Sequence, residues 1–442
     1  MSLTGPGPGG KVGGEETARG LSAPQNDVEV TASPTLDAPP PGGGEPAQRL
    51  WRVLLLAGLV LAADGYDSQA IGYVAPALVE TWSVPRPMLG PVFSAGILGM
   101  MLGAMTLSVL ADRNGGRRLL LACCGAFGLL TLACGFAPNF PVLIVLRFLT
   151  GLALGGAAPI AVGLVAEYAP ARIRTTVLTL AISGFSLGGA LGGVVAGALI
   201  EDFGWRSIFI VGGLAPILLL PALALWLPRT FHGARPAQPK SPVRNLFLPG
   251  VAGPTLLMWL IYFLNLLVLY TLSNWLPTLI HADGQSIATA SIATTGYQLA
   301  GTAGGLAIAR LCDLLQPTRV LACSFVAAGI AVWLLSVAGG GPVAIFAAAA
   351  AAGFFVVGGQ NAFSAFVGGY YPSGLRATGT GWAQGVGRFG SVLGPLLAGG
   401  LFVLGATPAT VFKLCAGPAA IAAVSILLVG AIRPRTGLRA SA

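Results

Sequence analysis

From Trp51 onward the chain alternates apolar runs with short polar breaks. The runs are about 20 residues long, the length an α-helix needs to cross the hydrocarbon core of a bilayer. Twelve can be counted, the first over 52–79 and the last over 408–431. Several are longer, which allows tilt. The pattern predicts an all-α membrane protein with twelve transmembrane helices. Residues 1–48 break the pattern. "TGPGPGGKVGG" and "DAPPPGGGEPAQ" are too rich in Pro and Gly to bury a core, and read as a disordered tail. The first residues have no basic-then-apolar leader.

Composition supports this reading. Of 442 residues 55% are hydrophobic and only 9% charged, whereas a soluble domain carries about 25% charge. The 65 glycines suit helices that pack closely in lipid. The net charge of +9 is topological and does not point to nucleic acid. With the N-terminus inside, the tails and alternate loops hold nineteen Lys and Arg, against three (Arg86, Arg206 and Lys413) on the other side. This bias predicts a multi-pass protein of the plasma (inner) membrane with both termini cytoplasmic. The Pro-rich, basic loop after helix 6 divides the helices six and six. The expected organisation is a tail at 1–48, bundles at 49–228 and 250–432, a cytoplasmic linker at 229–249 and a second tail at 433–442.

Several chemistries lack their residues. The six cysteines have no metal-ligand spacing and lie in apolar runs, while His232 and His281 fall in predicted loops. No metal, cofactor or redox chemistry is expected. There is no phosphate-binding G-x-x-x-x-G-K-[ST] loop for an ATP-driven pump, and no His pair or Ser/His/Asp set in the membrane for an enzyme. A membrane sensor would need a folded output module, which the Pro/Gly-rich tail does not supply.

The two halves repeat one another at an offset of 201–202 residues. "GAMTLSVLADRNGGRR" from Gly103 lies over "GGLAIARLCDLLQPTR" from Gly304, so Asp112 meets Asp313 and Arg118 meets Arg319. "EYAPARIR", from Glu167 to Arg174, lies over "GYYPSGLR", which ends at Arg376. Gly188 and Gly192 meet Gly390 and Gly394, and Asp64 meets Asn265. Parallel repeats of this kind flank a midplane substrate site in transporters. The loop "LADRNGGRR" resembles the signature G-x-x-x-D-R-x-G-R-R of the major facilitator superfamily. It departs at Ser108 or Val109 in the leading Gly region and at Gly116. Asp112, with Arg113, Arg117 and Arg118, would form pairs that hold one state closed and break on switching. A solvated topological anchor is the bland alternative.

Only Asp64 and Asp67 are acids deep in a membrane helix. A spacing of three puts them on one face with Ser68, and two like charges so close would share a proton. Arg388 lies mid-helix with Gln384 one turn away, and no acid stands on its own helix. A substrate carboxylate would match its fork; a permanent salt bridge to Asp64 or Asp67 is the competing reading. Arg147 divides evenly between packing and function. Flat apolar walls could come from Tyr66, Tyr270, Phe354, Phe355, Phe363, Phe366 and Trp382, with Asn265, Gln360 and Asn361 for polar contacts.

"DGYD" in helix 1, "SNWLPTLI" ending helix 7 and "YYPSGLRATGTGWAQGVGRFGSVLGP" across helices 10 and 11 sharpen the resemblance. They look like the aromatic acid:proton symporters, which include transporters of 4-hydroxybenzoate, protocatechuate and benzoate. The resemblance runs from Trp51 to Arg433. It implies the two-bundle major facilitator fold, proton coupling or gating at Asp64 and Asp67, and substrate binding at Arg388. The expected function is proton-coupled import of small aromatic carboxylates by a monomer in the bilayer. An antiporter or exporter of drugs or organic anions with the same fold is the rival. Helix 5, "GFSLGGALGGVVAG", argues against it by lacking the Gly-Pro step of many exporters.

Overall fold

The computed structural model describes residues 46–170, 173–227, 242–337 and 341–432. The expected tail at 1–45, most of the linker and the segment 433–442 lie outside the described residues, as do the side chains of Asp112 and Arg113. Twelve helices follow in chain order. They are α1 (Pro46–Trp82), α2 (Leu89–Asn114), α3 (Gly116–Gly135), α4 (Phe140–Tyr168), α5 (Arg174–Phe203) and α6 (Arg206–Trp226), then α7 (Ala252–Ala282), α8 (Ile287–Leu314), α9 (Pro317–Leu335), α10 (Pro342–Tyr370), α11 (Ser373–Val403) and α12 (Pro408–Ala431).

Local chemistry sets several helix starts. Asn139, Ser286 and Thr407 each accept a hydrogen bond from the backbone N–H three residues on, at α4, α8 and α12, which satisfies a donor that the helix start leaves free. By length and composition ten of the helices can cross a membrane; α1 and α8 are not among them. The reason lies in their polar content. The middle of α1 carries Asp64, Asp67, Ser68 and Gln69, and α8 carries Ser291, Thr294, Thr295 and Gln298. All eight are polar positions inside the protein.

The sequence repeat is a repeat of packing. In the first half α1 lies on α5, α2 on α4 and α3 on α6; in the second α7 lies on α11, α8 on α10 and α9 on α12. Two matched glycines explain one pair of contacts. A Cβ on Gly103 would stand 2.0 Å from the carbonyl oxygen of Leu152, and one on Gly304 would stand 2.1 Å from that of Phe354. Only glycine lets these backbones meet, the small-residue packing on which membrane helices rely.

The halves join at one end. Where α1 finishes, one core holds Tyr73, Phe93 and Trp205 of the first half with Trp275, Leu279 and Val332 of the second. Phe93 meets Trp275 edge-on at 5.3 Å. Ser94 Oγ donates to the Val392 carbonyl at 2.7 Å, and His281 Nε2 lies 2.9 Å from Glu80 Oε1. His281 therefore sits in the last turn of α7, not in a loop. Where α1 begins, the halves keep separate cores. One is built from residues between Val53 and Leu227, the other from residues between Leu246 and Val429.

Candidate functional site

A cavity of about 300 Å³ lies between the halves, ending at the shared core. The first half contributes Ser68, Gln69, Ile97, Arg147, Ile182 and Ser186; the second contributes Tyr270, Asn274, Gln298, Asn361, Gln384 and Arg388. These positions follow the repeat. Gln69 matches Tyr270, Ile97 matches Gln298, Ile182 matches Gln384 and Ser186 matches Arg388 at the 201–202 offset. The frame is shared while the chemistry differs: matched positions on α5 and α11 are apolar or small in the first half and polar or charged in the second.

The two aspartates have different partners. Asp67 is fully buried. Arg147 Nη1 donates to its Oδ1 at 3.1 Å and Oδ2 at 3.0 Å, and Nη2 donates to its backbone carbonyl at 3.0 Å. Thr131 Oγ1 donates to Oδ1 at 2.7 Å. Asp64, 2% exposed, accepts from Ser68 Oγ at 3.2 Å. The expected shared proton between them is not what this arrangement provides. A step of three residues turns a side chain by roughly 60° about the helix axis. That aims Asp67 at α3 and α4, whose Thr131 and Arg147 occupy both of its oxygens.

Arg388 forms no salt bridge to either aspartate: among the described residues the ion pairs are Arg147–Asp67 and His281–Glu80. Half-buried on the cavity wall, it donates from Nη1 to Tyr270 Oη at 3.1 Å. The sequence divides Arg147 evenly between packing and function; it is 3% exposed, lines the cavity and pairs with Asp67, one of the two aspartates that the competing reading offers to Arg388. The ion pair is not demanded by the fold. At the positions matching Asp67 and Arg147 the second half has buried Val268 and Ala349.

The remaining expected residues divide. Gln384, Gln360 and Asn361 line the cavity. Gln360 is occupied at both ends of its amide, accepting from Asn265 Nδ2 at 2.7 Å and donating to Ser364 Oγ at 3.3 Å. Asn265 lies behind it. Three expected aromatic contacts do not line the cavity. Tyr66 donates to the Ile208 carbonyl at 3.1 Å, Phe354 packs edge-on against Phe355 at 5.1 Å, and Trp382 stacks on Trp259 at 5.9 Å. Each ring is turned toward a neighbouring helix or ring, which apolar character in a sequence does not reveal. Of the seven aromatic candidates only Tyr270 lines the cavity; Phe93, Phe185 and Tyr262, not singled out from sequence, also do.

Near the other end, Arg117 donates to the Ala224 carbonyl of α6. Arg118, Asp313, Glu167, Arg174 and Arg376 are exposed, and no salt bridge between described residues includes Arg118, Asp313, Arg174 or Arg376. The structure brings none of these into the cavity.

The sequence matches the Major Facilitator Superfamily over residues 57–284 and 258–441. The chain belongs to that superfamily of multi-pass membrane transporters, which are not enzymes. It is 38% identical over 416 residues to the gallate transporter of Pseudomonas putida, covering 87% of this chain and 93% of that one. It is 35% identical over 417 residues to the 4-hydroxybenzoate transporter of Pseudomonas aeruginosa, covering 86% and 93%. It is 36% identical over 395 residues to the 3-(3-hydroxy-phenyl)propionate transporter of Escherichia coli, covering 88% and 96%. Among solved structures the nucleoside transporter NupG shares the fold, with a TM-score of 0.72 at 16% identity, covering 86% of this chain and 99% of that one.

Proposed function

We propose that this protein is a proton-coupled symporter that imports small aromatic carboxylates across the plasma membrane by alternating access. One observation carries the reading. Arg388 stands on the wall of a cavity shared by both halves, with a tyrosine hydroxyl and, among the described residues, no salt-bridged carboxylate as its partner. A guanidinium placed so accepts a carboxylate as a bidentate ligand, with Tyr270 and Gln384 beside it. The cavity is at the small end of the ~300–1,000 Å³ range of small-molecule sites, which suits a single-ring acid. The aromatic part of the reading is supported by the three relatives named above.

The proton site is Asp64, reached from the cavity through Ser68. When a substrate carboxylate engages Arg388, the field at Asp64 becomes more negative and favours protonation, so proton and substrate binding reinforce one another. Asp67 and Arg147 form the charged joint that ties α1 to α4 during the cycle. The halves, 49–228 and 250–432, rock about the site, and the shared core at one end with separate cores at the other corresponds to an inward-facing state with both termini cytoplasmic. The loop from Asp112 to Arg118 gates the cytoplasmic side.

The test is uptake of labelled aromatic and aliphatic acids into cells, with and without an uncoupler. Uncoupler-sensitive accumulation of aromatic acids alone is expected. Equal uptake of aliphatic acids, or accumulation that survives the uncoupler, would sink the reading.

A further inference from the structure

Glu80 and His281 are matched positions of the internal repeat, 201 residues apart, and they touch. Parallel repeats are related by an axis along the membrane normal. A residue and its own match can meet only near that axis. The contact therefore lies where the two halves face one another, in the last turns of α1 and α7. Lower on the same seam, a Cβ on Gly72 would stand 3.1 Å from the carbonyl oxygens of Ser273 and Asn274. Glu80 is eight residues beyond Gly72, about 12 Å of helix rise. The pair thus closes the far side of the shared core, away from the cavity.

The contact holds a proton. His281 Nδ1 lies 2.7 Å from the Gln285 backbone carbonyl, which only accepts, so Nδ1 carries a hydrogen. An ionised Glu80 also only accepts. The 2.9 Å contact from Nε2 to Glu80 Oε1 then needs a second hydrogen, on Nε2 or on the carboxyl. Either way the joined pair holds one proton more than a neutral histidine and a carboxylate standing apart. Other charges at this end are Glu201 and Asp202 on α5, Arg206 on α6 and Lys413 on α12, with Arg86 before α2 and Asp283 after α7. No salt bridge between described residues includes any of these, and Arg206 lies over the Trp205 ring. Glu80 and His281 answer to each other.

We propose that Glu80 and His281 form a proton-dependent latch on the outer gate. The halves close over the outer end of the cavity with a proton held between them, so external acid favours closure and external alkali favours opening. The assignment rests on the alternating access and inward-facing orientation proposed above. It is distinct from coupling at Asp64, because the Glu80 and His281 side chains are 61% and 28% exposed and take their proton from the outer medium. Histidine changes charge between about pH 5 and 8, which sets the range of the switch.

The experiment reads how far the outer end opens. Ile97→Cys puts a thiol on the cavity wall, and a membrane-impermeant methanethiosulfonate is added outside intact cells. Its reaction rate is measured at about pH 5.5 and about pH 8.5, with the latch intact, with Glu80→Ala and with His281→Ala. Dividing each variant's rate by that of the intact latch at the same pH cancels the thiol's own ionisation. At acid pH each variant should react about two- to fivefold faster, the worth of an exposed ion pair. At alkaline pH the rates should agree, because the intact latch has already lost its proton. Glu80→His with His281→Glu restores the pair across the axis and should return the acid rate to that of the intact latch. Unchanged rates at both pH values, or an equal rise at both, would overturn the latch. So would slower reaction in the variants, which puts the shared end on the cytoplasmic side. Uptake is scored separately: a protein that takes up no aromatic acid yet shows the acid-dependent ratio keeps the latch and loses the substrate reading.

Discussion

Arg147 holds Asp67 at three points inside the bundle: both carboxylate oxygens from one amino group, and the Asp67 backbone carbonyl from the other. The contact joins α4 to the middle of α1. The matched positions of the second half, Val268 and Ala349, carry no charge, so the same helical frame is built there without an ion pair.

Removing one partner of a buried pair strands the other, at a cost of about 3–5 kcal/mol, whereas replacing both with apolar residues is often neutral. Arg147→Ala is therefore expected to lower thermal stability sharply. The double variant Asp67→Val with Arg147→Ala, which copies the second half, should recover most of that stability while still failing to accumulate substrate. Thermal unfolding of the purified protein beside uptake in cells separates the two effects. Normal uptake by the double variant would make the pair structural.

Asp64→Asn keeps the shape of the side chain but cannot release a proton. Uphill accumulation should be lost, while exchange of preloaded substrate with no gradient survives, since exchange need not release the proton. The sign with pH is direct. Coupled uptake by the wild type rises as the external medium is acidified, and the Asn variant's exchange stays flat. Accumulation with normal pH dependence in Asp64→Asn would place the coupling site elsewhere.

Arg388→Lys keeps the charge and loses the fork, so transport should weaken strongly; Arg388→Ala should abolish it in a protein that still inserts. Tyr270→Phe removes one neutral hydrogen-bond partner, and should raise KM by about tenfold or less. Near-normal uptake by Arg388→Ala in a concentration series would rule out the substrate role.

The close approaches at Gly103 and Gly304 predict matched damage. Alanine at either site drives a methyl into a backbone carbonyl, where neither atom can move freely, and overpacking of this kind costs about 1–3 kcal/mol or more. Alanine at Gly368, which has open space around it, should be neutral. Size-exclusion profiles of fluorescent fusions would register the difference. Equal tolerance at all three sites would contradict the packing described for α2 on α4 and α8 on α10.

The amino-acid sequence by itself determined the class and the plan. Apolar runs of bilayer length are a local signal, and twelve of them, repeated at one offset, specify two related halves before any contact is known. A charge inside an apolar run is equally local, so Asp64, Asp67, Arg147 and Arg388 stand out by position alone. Tertiary structure decided the partnerships. Whether Asp67 meets Arg147 or Arg388 depends on how each helix is rotated about its axis and on which helix lies beside it, and residues 80 positions apart in the chain settle that contact. The cavity wall was hidden for the same reason. Trp382, Phe354 and Tyr66 are aromatic in the sequence but turned to neighbouring helices or rings, while Gln69 and Gln298 resemble many other polar residues until the helices bring them to one cavity wall. Hydropathy depends on one helix and the lipid around it; a binding site depends on the relative rotation of several helices, and that is set only when they pack.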